Sequence, residues 1–341
     1  MSVTTHSSLT VETTLERLKL SAPFRISGHT FIDVPVAVAV LRDGVASGRG
    51  EAAGVYYLED QPARMIDAIE AIRPAIGAGV SRGQLRELLP PGGARNALDC
   101  ALWDLEAKRI GQPVWKLAGV ERPGPLLTTF TLGAENPDAM AAGAKRFAQA
   151  RALKLKLTGE WQLDADRIRA VRAARPDVWM GVDANQGFTP DTLDRVLPVL
   201  ADSRVSLLEQ PFARGREADL DGLKIPIPIA ADESVQGLAD IAGLVGRFNI
   251  VNIKLDKCGG LTEALLMAAQ CRRLGLGVMV GNMVGSSLAM APAFVLGQLC
   301  DFVDLDGPLF LDADRVPGVS YTDGHIWCPD EVWGAPVATA A

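Results

Sequence analysis

Short apolar runs recur along the second two-thirds of the chain, with amphipathic stretches between them. The runs fall at 126–132, 152–157, 178–183, 205–209, 227–232, 250–254, 277–281 and 299–304. Runs of this length, rich in Val, Ile and Leu, predict strands that are buried on both faces. The intervening stretches, such as DADRIRAVRAAR and LTEALLMAAQCRRLG, carry apolar residues at helical spacing. Eight strands alternating with helices predict an α/β fold of the β/α-barrel type. An open doubly wound sheet is the structural alternative, but such sheets gather their sites at one switch point rather than on most strand ends.

Before about residue 122 the period is missing. Residues 9–20 and 31–41 predict paired strands, with a loop at 21–30 marked by Pro23 and Gly28 and a second loop at 50–62. The segment ARNALDCALWDLEAKRIG predicts a helix, because Leu98, Leu102 and Leu105 stand at i, i+4 and i+7 and Gly111 follows as a stop. This first region is α+β.

Polar positions are as regular as the apolar ones. Six runs close on a charge: Lys156, Asp183, Glu209, Asp232, Lys254 and Asp304, at gaps of 27, 26, 23, 22 and 50 residues. The last gap is a double period, with Val278 to Gly281 as the strand between. In an eight-strand ring, strands four apart face each other. Lys156 and Lys254 therefore oppose one another, the three acids lie on the arc between them, and Asp304 looks across the mouth. Three carboxylates on adjacent strands repel unless a cation joins them, and all-oxygen ligation favours Mg²⁺ before Mn²⁺. Lys154 shares a strand face with Lys156 because side chains alternate. Two cations so close are expected to lower each other's pKa and leave one basic near neutrality. A carboxylate substrate on the metal, with a lysine on each side of its α-carbon, predicts removal of the α-proton by one lysine. The metal stabilises the enediolate, and the other lysine returns a proton to the opposite face: a 1,1-proton transfer.

Composition removes competing classes. A formal net charge of −7 and a pI near 5.2, with no basic run, argue against nucleic-acid binding. Only His6, His29 and His325 are present, which excludes a multi-histidine zinc site and leaves acid/base work to lysines and carboxylates. Five cysteines without a CxxC predict reduced thiols and a cytoplasmic location. The N-terminus has no apolar signal segment, and no run of 18 apolar residues predicts a membrane span. No GxGxxG or GxxxxGK[ST] element opens a helix. The final GAPVATAA predicts a frayed tail.

At the charged strand ends the sequence resembles the enolase superfamily, in its muconate-cycloisomerase-like branch, whose base-and-Mg²⁺ chemistry is general to the superfamily. The resemblance is carried by the KxK of Lys154 and Lys156, DAN at 183–185, EQP from Glu209, ADES containing Asp232, and NIKLDKCGGLTEAL containing Lys254. It implies a modified (β/α)7β barrel at 123–308, an N-terminal α+β capping domain at 1–122, and a C-terminal segment at 309–341 that packs back on the cap. It implies Asp183, Glu209 and Asp232 as metal ligands and Lys156 and Lys254 as the acid/base pair. Lys154 would lie by the substrate carboxylate, with Asn185 and Asp256 as partners on the same faces. Asn185 could equally be a structural amide.

Within that branch, Asp304-Leu305-Asp306 resembles the DxD motif of dipeptide epimerases, especially the L-Ala-D/L-Glu type. Two carboxylates opposite the metal would hold a dipeptide's α-ammonium group while the metal holds its C-terminal carboxylate. The alternative is that both simply end the strand. Tyr56, Tyr57, His29 and Thr30 would contribute from the cap, and Met283 and Ser286 from GNMVGSS. The glutamate-specific members carry a cap-loop arginine. In SAPFRISGHTFID, Arg25 follows Phe24 directly and Gly28 to Phe31 fill the middle, so the second residue of the substrate stays open. The resemblance also implies homo-oligomers. A lyase or cycloisomerase acting on an acid without an ammonium group, as in o-succinylbenzoate synthase or muconate cycloisomerase, is the alternative enzyme. A non-catalytic metal-stabilised barrel is the remote one.

Overall fold

The computed structural model describes residues 8–26 and 29–336. The chain opens with an antiparallel sheet of β1 (Thr10–Ile26), β2 (His29–Arg42) and β3 (Ser47–Ala52), in that order. The loop expected at 21–30 is instead the end of a long hairpin. Pairing runs from Thr10 and Arg42 to Lys19 and Asp33, shifts register, and resumes from Phe24 and Phe31 to Ile26 and His29. Pro23 falls within the shift, where its missing N–H removes no ladder bond. The second expected loop also starts late, since residues 50–52 belong to β3. Gly28 at the hairpin tip, His6, and the tail at 337–341 lie outside the described residues.

Four helices follow: α1 (Pro62–Ala71), α2 (Arg73–Gly77), α3 (Arg82–Leu88) and α4 (Gly93–Ile110). α4 is the predicted helix, with Leu98, Leu102 and Leu105 buried and Gly111 left-handed at φ 70°. It crosses β3 so closely that a Cβ on Gly50 would stand 2.1 Å from the carbonyl oxygen of Ala97. Its other side meets the barrel. Arg95 Nη2 donates to the Cys258 carbonyl at 2.5 Å and Trp103 Nε1 to Thr262 Oγ1 at 3.0 Å.

The apolar run at 126–132 is split. β4 (Leu126–Leu127) pairs with β14 (His325–Trp327), which pairs with β13 (Ser320–Thr322). The barrel itself is β5 (Thr129–Leu132), β6 (Ala152–Lys156), β7 (Trp179–Asp183), β8 (Leu207–Glu209), β9 (Ile229–Ala231), β10 (Ile250–Lys254), β11 (Gly277–Gly281) and β12 (Phe302–Val303). All neighbours are parallel and the order follows the sequence. Counting back by two from each strand end gives the inward face, including Lys154, Asn252 and, from Gly281, Met279. Leu207, Ala230, Ile250 and Met279, with Trp179 and Phe302, plug the barrel's far end. The alternate residues, such as Leu153, Val182, Leu208, Ile253 and Val280, face outward into the main core under the helices. No ladder joins β12 to β5 among the described residues. Side chains close that seam: Leu305 N donates to Thr128 Oγ1 at 2.9 Å, Thr131 N to Asp306 Oδ2 at 2.6 Å, and Thr129 Oγ1 to Asp304 Oδ1.

The chain's last stretch returns to the cap. Leu311 bridges to Leu20, Trp333 Nε1 donates to Arg49 O at 2.9 Å, and Arg315 reaches Glu16 at 2.8 Å and buried Glu51 at 2.7 Å. All five cysteines are free, and no described helix is long and apolar enough to cross a membrane.

Candidate active site

The strand ends converge as their spacing predicts. Lys156 pairs in register with Asp183, and Asp183 with Glu209, so three charges stand side by side at the barrel mouth. Ligand oxygens of Asp183, Glu209 and Asp232 lie within 4.8 Å of one another, all three residues buried. Lysines bracket the trio. Lys156 Nζ is 2.6 Å from Asp183 Oδ2 at one end, and Lys254 Nζ is 2.7 Å from Asp232 Oδ2 at the other. Gly281 sits beside Lys254 across the ladder. A Cβ there would come within 2.6 Å of Asn252 Oδ1 and 3.1 Å of Lys254 Cε, so glycine leaves the lysine its channel.

The carboxylates fit a divalent cation on two grounds. Glu209 Oε2 is buried without a hydrogen bond, since Lys154 Nζ lies 2.8 Å away but off the line that a hydrogen bond needs. Charge also fails to balance: among the described residues, Asp183, Glu209, Asp232, Glu233, Asp304 and Asp306 face only Lys154, Lys156, Lys254 and Lys257. The shortage of positive charge is visible in the acids. Burial and the neighbouring Asp183 push Glu209 up to about 7. Burial and Asp232 push Glu233 up to about 8. Burial would raise Asp183 too, but Lys156 and Lys154 outweigh it and hold it at about 2. Lys254 and Lys257 likewise overcome burial and hold Asp232 well below the usual carboxylate range. The mutual lowering expected of the paired lysines is not found at Lys154. Burial does oppose its charge, but Asp304, Glu209 and Asp183 prevail and raise it, as Asp232 raises Lys254.

The DxD residues are not equivalent. Asp304 is spent within the protein, with Oδ2 on Lys154 Nζ at 2.8 Å and Oδ1 on Thr129, and Lys154 outweighs burial to lower its pKa. Asp306 has no cation among its described contacts; burial and Asp304 push it up to about 7. Both line the cavity.

Other predicted residues divide. His29, Thr30, Tyr56, Asn185 and Met283 line the cavity with the lysines. Asn185 is left-handed at φ 43°, donates its backbone N–H to Asp183 Oδ1 at 2.9 Å, and reaches Glu233 at 3.5 Å. Asp256 does not line the cavity. β10 ends at Lys254 and a short helix (Leu255–Cys258) begins, so the two-residue period fails and Asp256 turns to the cap, accepting from Gly54 N at 2.9 Å. Ser286 is also absent from the lining. It caps the helix Ser287–Gly297 and donates to Glu51 Oε2 at 2.5 Å. Arg25 faces outward to Glu135 at 3.4 Å.

Sequence reasoning missed three groups. Asn252, whose Nδ2 donates to Glu209 Oε1 at 2.9 Å, could have been found by counting two back from Lys254. Lys257 clamps Asp232 Oδ1 and the Asp232 carbonyl, each at 2.5 Å, from the helical turn that broke the period. Glu233 sits beside a ligand and carries an unpartnered buried Oε2.

Over this floor lies a cavity of about 430 Å³. The cap roofs it with rings: His29 lies 4.2 Å from Phe31 and 5.3 Å from Tyr56, and Phe24 lies 4.5 Å from Phe310, centroid to centroid.

Residues 8–119 match the mandelate racemase / muconate lactonizing enzyme N-terminal domain, and residues 139–333 match the enolase C-terminal domain-like family. The chain is 38% identical over 317 residues to the L-Ala-D/L-Glu epimerase of Escherichia coli (strain K12), covering 93% of this chain and 99% of that one. Among solved structures, it resembles an enolase family member from Agrobacterium tumefaciens with homology to dipeptide epimerases, bound to sodium and L-Ala-L-Glu. That match has a TM-score of 0.91 at 40% identity and covers 96% of this chain and 100% of that one. It also resembles the dipeptide epimerase from Methylococcus capsulatus complexed with Mg and L-Arg-D-Lys, with a TM-score of 0.88 at 29% identity, covering 94% of this chain and 96% of that one.

Proposed function

The chain belongs to the mandelate racemase / muconate lactonizing enzyme family of enolase-like proteins, and on that premise we propose a Mg²⁺-dependent dipeptide epimerase that inverts the α-carbon of the second residue by two-base 1,1-proton transfer. One observation carries the reading: Lys156 and Lys254 reach the cavity from strands four apart, each anchored on the carboxylate at its own end of the acid trio. An α-carbon between them has an ammonium or amine on each face. Asp183, Glu209 and Asp232 would hold the cation, which supplies the positive charge that makes an α-proton next to a carboxylate removable.

Around that centre the protein's own groups have separate tasks. Asn252 and Lys257 fix the orientation of Glu209 and Asp232. Lys154, locked by Asp304, stands beside the acids for the substrate carboxylate. Asp306 receives the α-ammonium, a cation that none of its described contacts supplies. An acid substrate for elimination or cycloisomerisation would leave Asp306 without a partner. We also propose a cytoplasmic location, supported by five unpaired thiols, and assembly into a homo-oligomer, which sedimentation would test.

With Mg²⁺ in D₂O, L,L-dipeptides should gain deuterium at the second α-carbon and yield the L,D epimer. No incorporation across a panel of free-amine dipeptides, or turnover of carboxylic acids instead, would contradict the reading.

A further inference from the structure

We infer that the side chain on the inverted carbon is apolar, a branched aliphatic or aromatic group, and that it lodges against His29, Phe31 and Tyr56 of the cap. This rests on the epimerase reading and names the substrate class within it.

Position comes first. His29, Phe31 and Tyr56 pack on one another and line the same cavity as Lys156, Lys254, Asp232 and Glu233, which places the cluster over the floor that carries the two lysines between which the inverted carbon would stand. The second ring pair, Phe24 with Phe310, continues the same wall toward Asp306: Phe24 stands opposite Phe31 in the β1–β2 ladder, and Phe310 closes the turn that follows Asp306.

Charge comes second. Among the described lining residues the only Lys or Arg side chains are Lys154, Lys156 and Lys254, and each already faces a carboxylate of the floor. The cap adds acids instead, Asp33 and Asp60. Arg25 points away to Glu135, and the hairpin-tip residues outside the described set are Ser27 and Gly28 by sequence, neither of them charged. A glutamate side chain would be desolvated there without a cation. A lysine side chain is served little better: Asp33 is taken by Arg17 at 2.9 Å, and Asp60 by the backbone N–H of Gly93 at 2.7 Å. The rest of the described cap lining holds no Asp, Glu, Lys or Arg, and its ring faces and aliphatic carbon, Phe31, Ile32, Val34 and Pro35 among them, reward apolar surface.

The test is kcat/KM for L-Ala-L-Leu and L-Ala-L-Phe against L-Ala-L-Glu and L-Ala-L-Lys, followed by α-deuterium incorporation with Mg²⁺. The apolar pair should lead by about tenfold or more. Equal or faster exchange of the Glu or Lys peptide overturns the inference while leaving the epimerase reading intact; exchange of none of the four overturns both. Phe31→Arg should then shift the Glu-to-Leu ratio toward Glu by about tenfold, through KM. A folded Phe31→Arg protein with an unchanged ratio would place the side chain elsewhere and overturn the inference. The wild-type panel decides by itself if that variant does not fold.

Discussion

The barrel mouth and the cap that covers it are built by opposite rules. At the mouth most polar atoms have a fixed partner: Lys154, Lys156, Lys254 and Lys257 each hold a carboxylate, and Asn252 holds Glu209. In the cap the cavity meets ring faces and aliphatic carbon, with no Lys or Arg among the described lining residues there. Polar networks lock geometry because a missing partner leaves a buried charge. Apolar surfaces select by size and accept neighbours of similar shape. A reaction needing two bases in fixed register belongs on the first kind of surface, and a choice among side chains on the second.

Substitutions at the two surfaces should therefore differ in size. Lys257→Ala should cost about 3–5 kcal/mol, because it strips a cation from buried Asp232. A melting temperature within a degree or two of wild type would show that the clamp is not structural. Asp306→Asn comes next. It should raise KM for free-amine dipeptides by roughly tenfold, consistent with about 1.5–3 kcal/mol for a charge-assisted hydrogen bond, and leave N-acetylated analogues unchanged. An equal effect on both would reduce Asp306 to closing the barrel seam through Thr131.

Smaller effects lie where cap and barrel meet. Burial pushes Asp256 up to about 7, against about 3.9 for an unfolded Asp. Between those values the folded chain holds the extra proton, so stability present at low pH is lost as pH rises through 7. Asp256→Asn should lose the bond geometry at Gly54 and lower the melting temperature at pH 5, yet flatten its fall between pH 5 and 8. An unchanged slope would refute the protonation. Least of all, Arg25→Ala should change stability by about 0–1 kcal/mol, as expected of an exposed ion pair, and leave kcat/KM within about twofold. A large rise in KM would bring Arg25 into the cavity.

The same contrast explains what could be read before folding. Lys156, Asp183, Glu209, Asp232, Lys254 and Asp304 were legible because a β/α unit repeats and each strand end faces the mouth. Asp256 was misplaced and Lys257 missed for one reason: the chain turns helical after Lys254, and alternation stops carrying direction. Asp304 and Asp306 look alike in sequence, but Thr129, Thr131 and Lys154 come from other strands and make them different. The hairpin of β1 and β2 was shortened because Pro23 reads as a breaker, whereas it sits at a register shift. The rings of the cap have no period at all; they are gathered from the hairpin, the turn Tyr56–Leu58 and the segment after β12.

The central claim is one base on each face of the α-carbon. It is tested most directly by following the α-proton of each epimer separately in D₂O, with Mg²⁺, in Lys156→Ala and Lys254→Ala. Epimerisation should fall by about 10²–10⁴-fold in both variants, while each variant still exchanges the α-proton of one epimer, and the two variants exchange opposite epimers. Inversion at near wild-type rate in either variant, or exchange of the same epimer by both, would contradict the account.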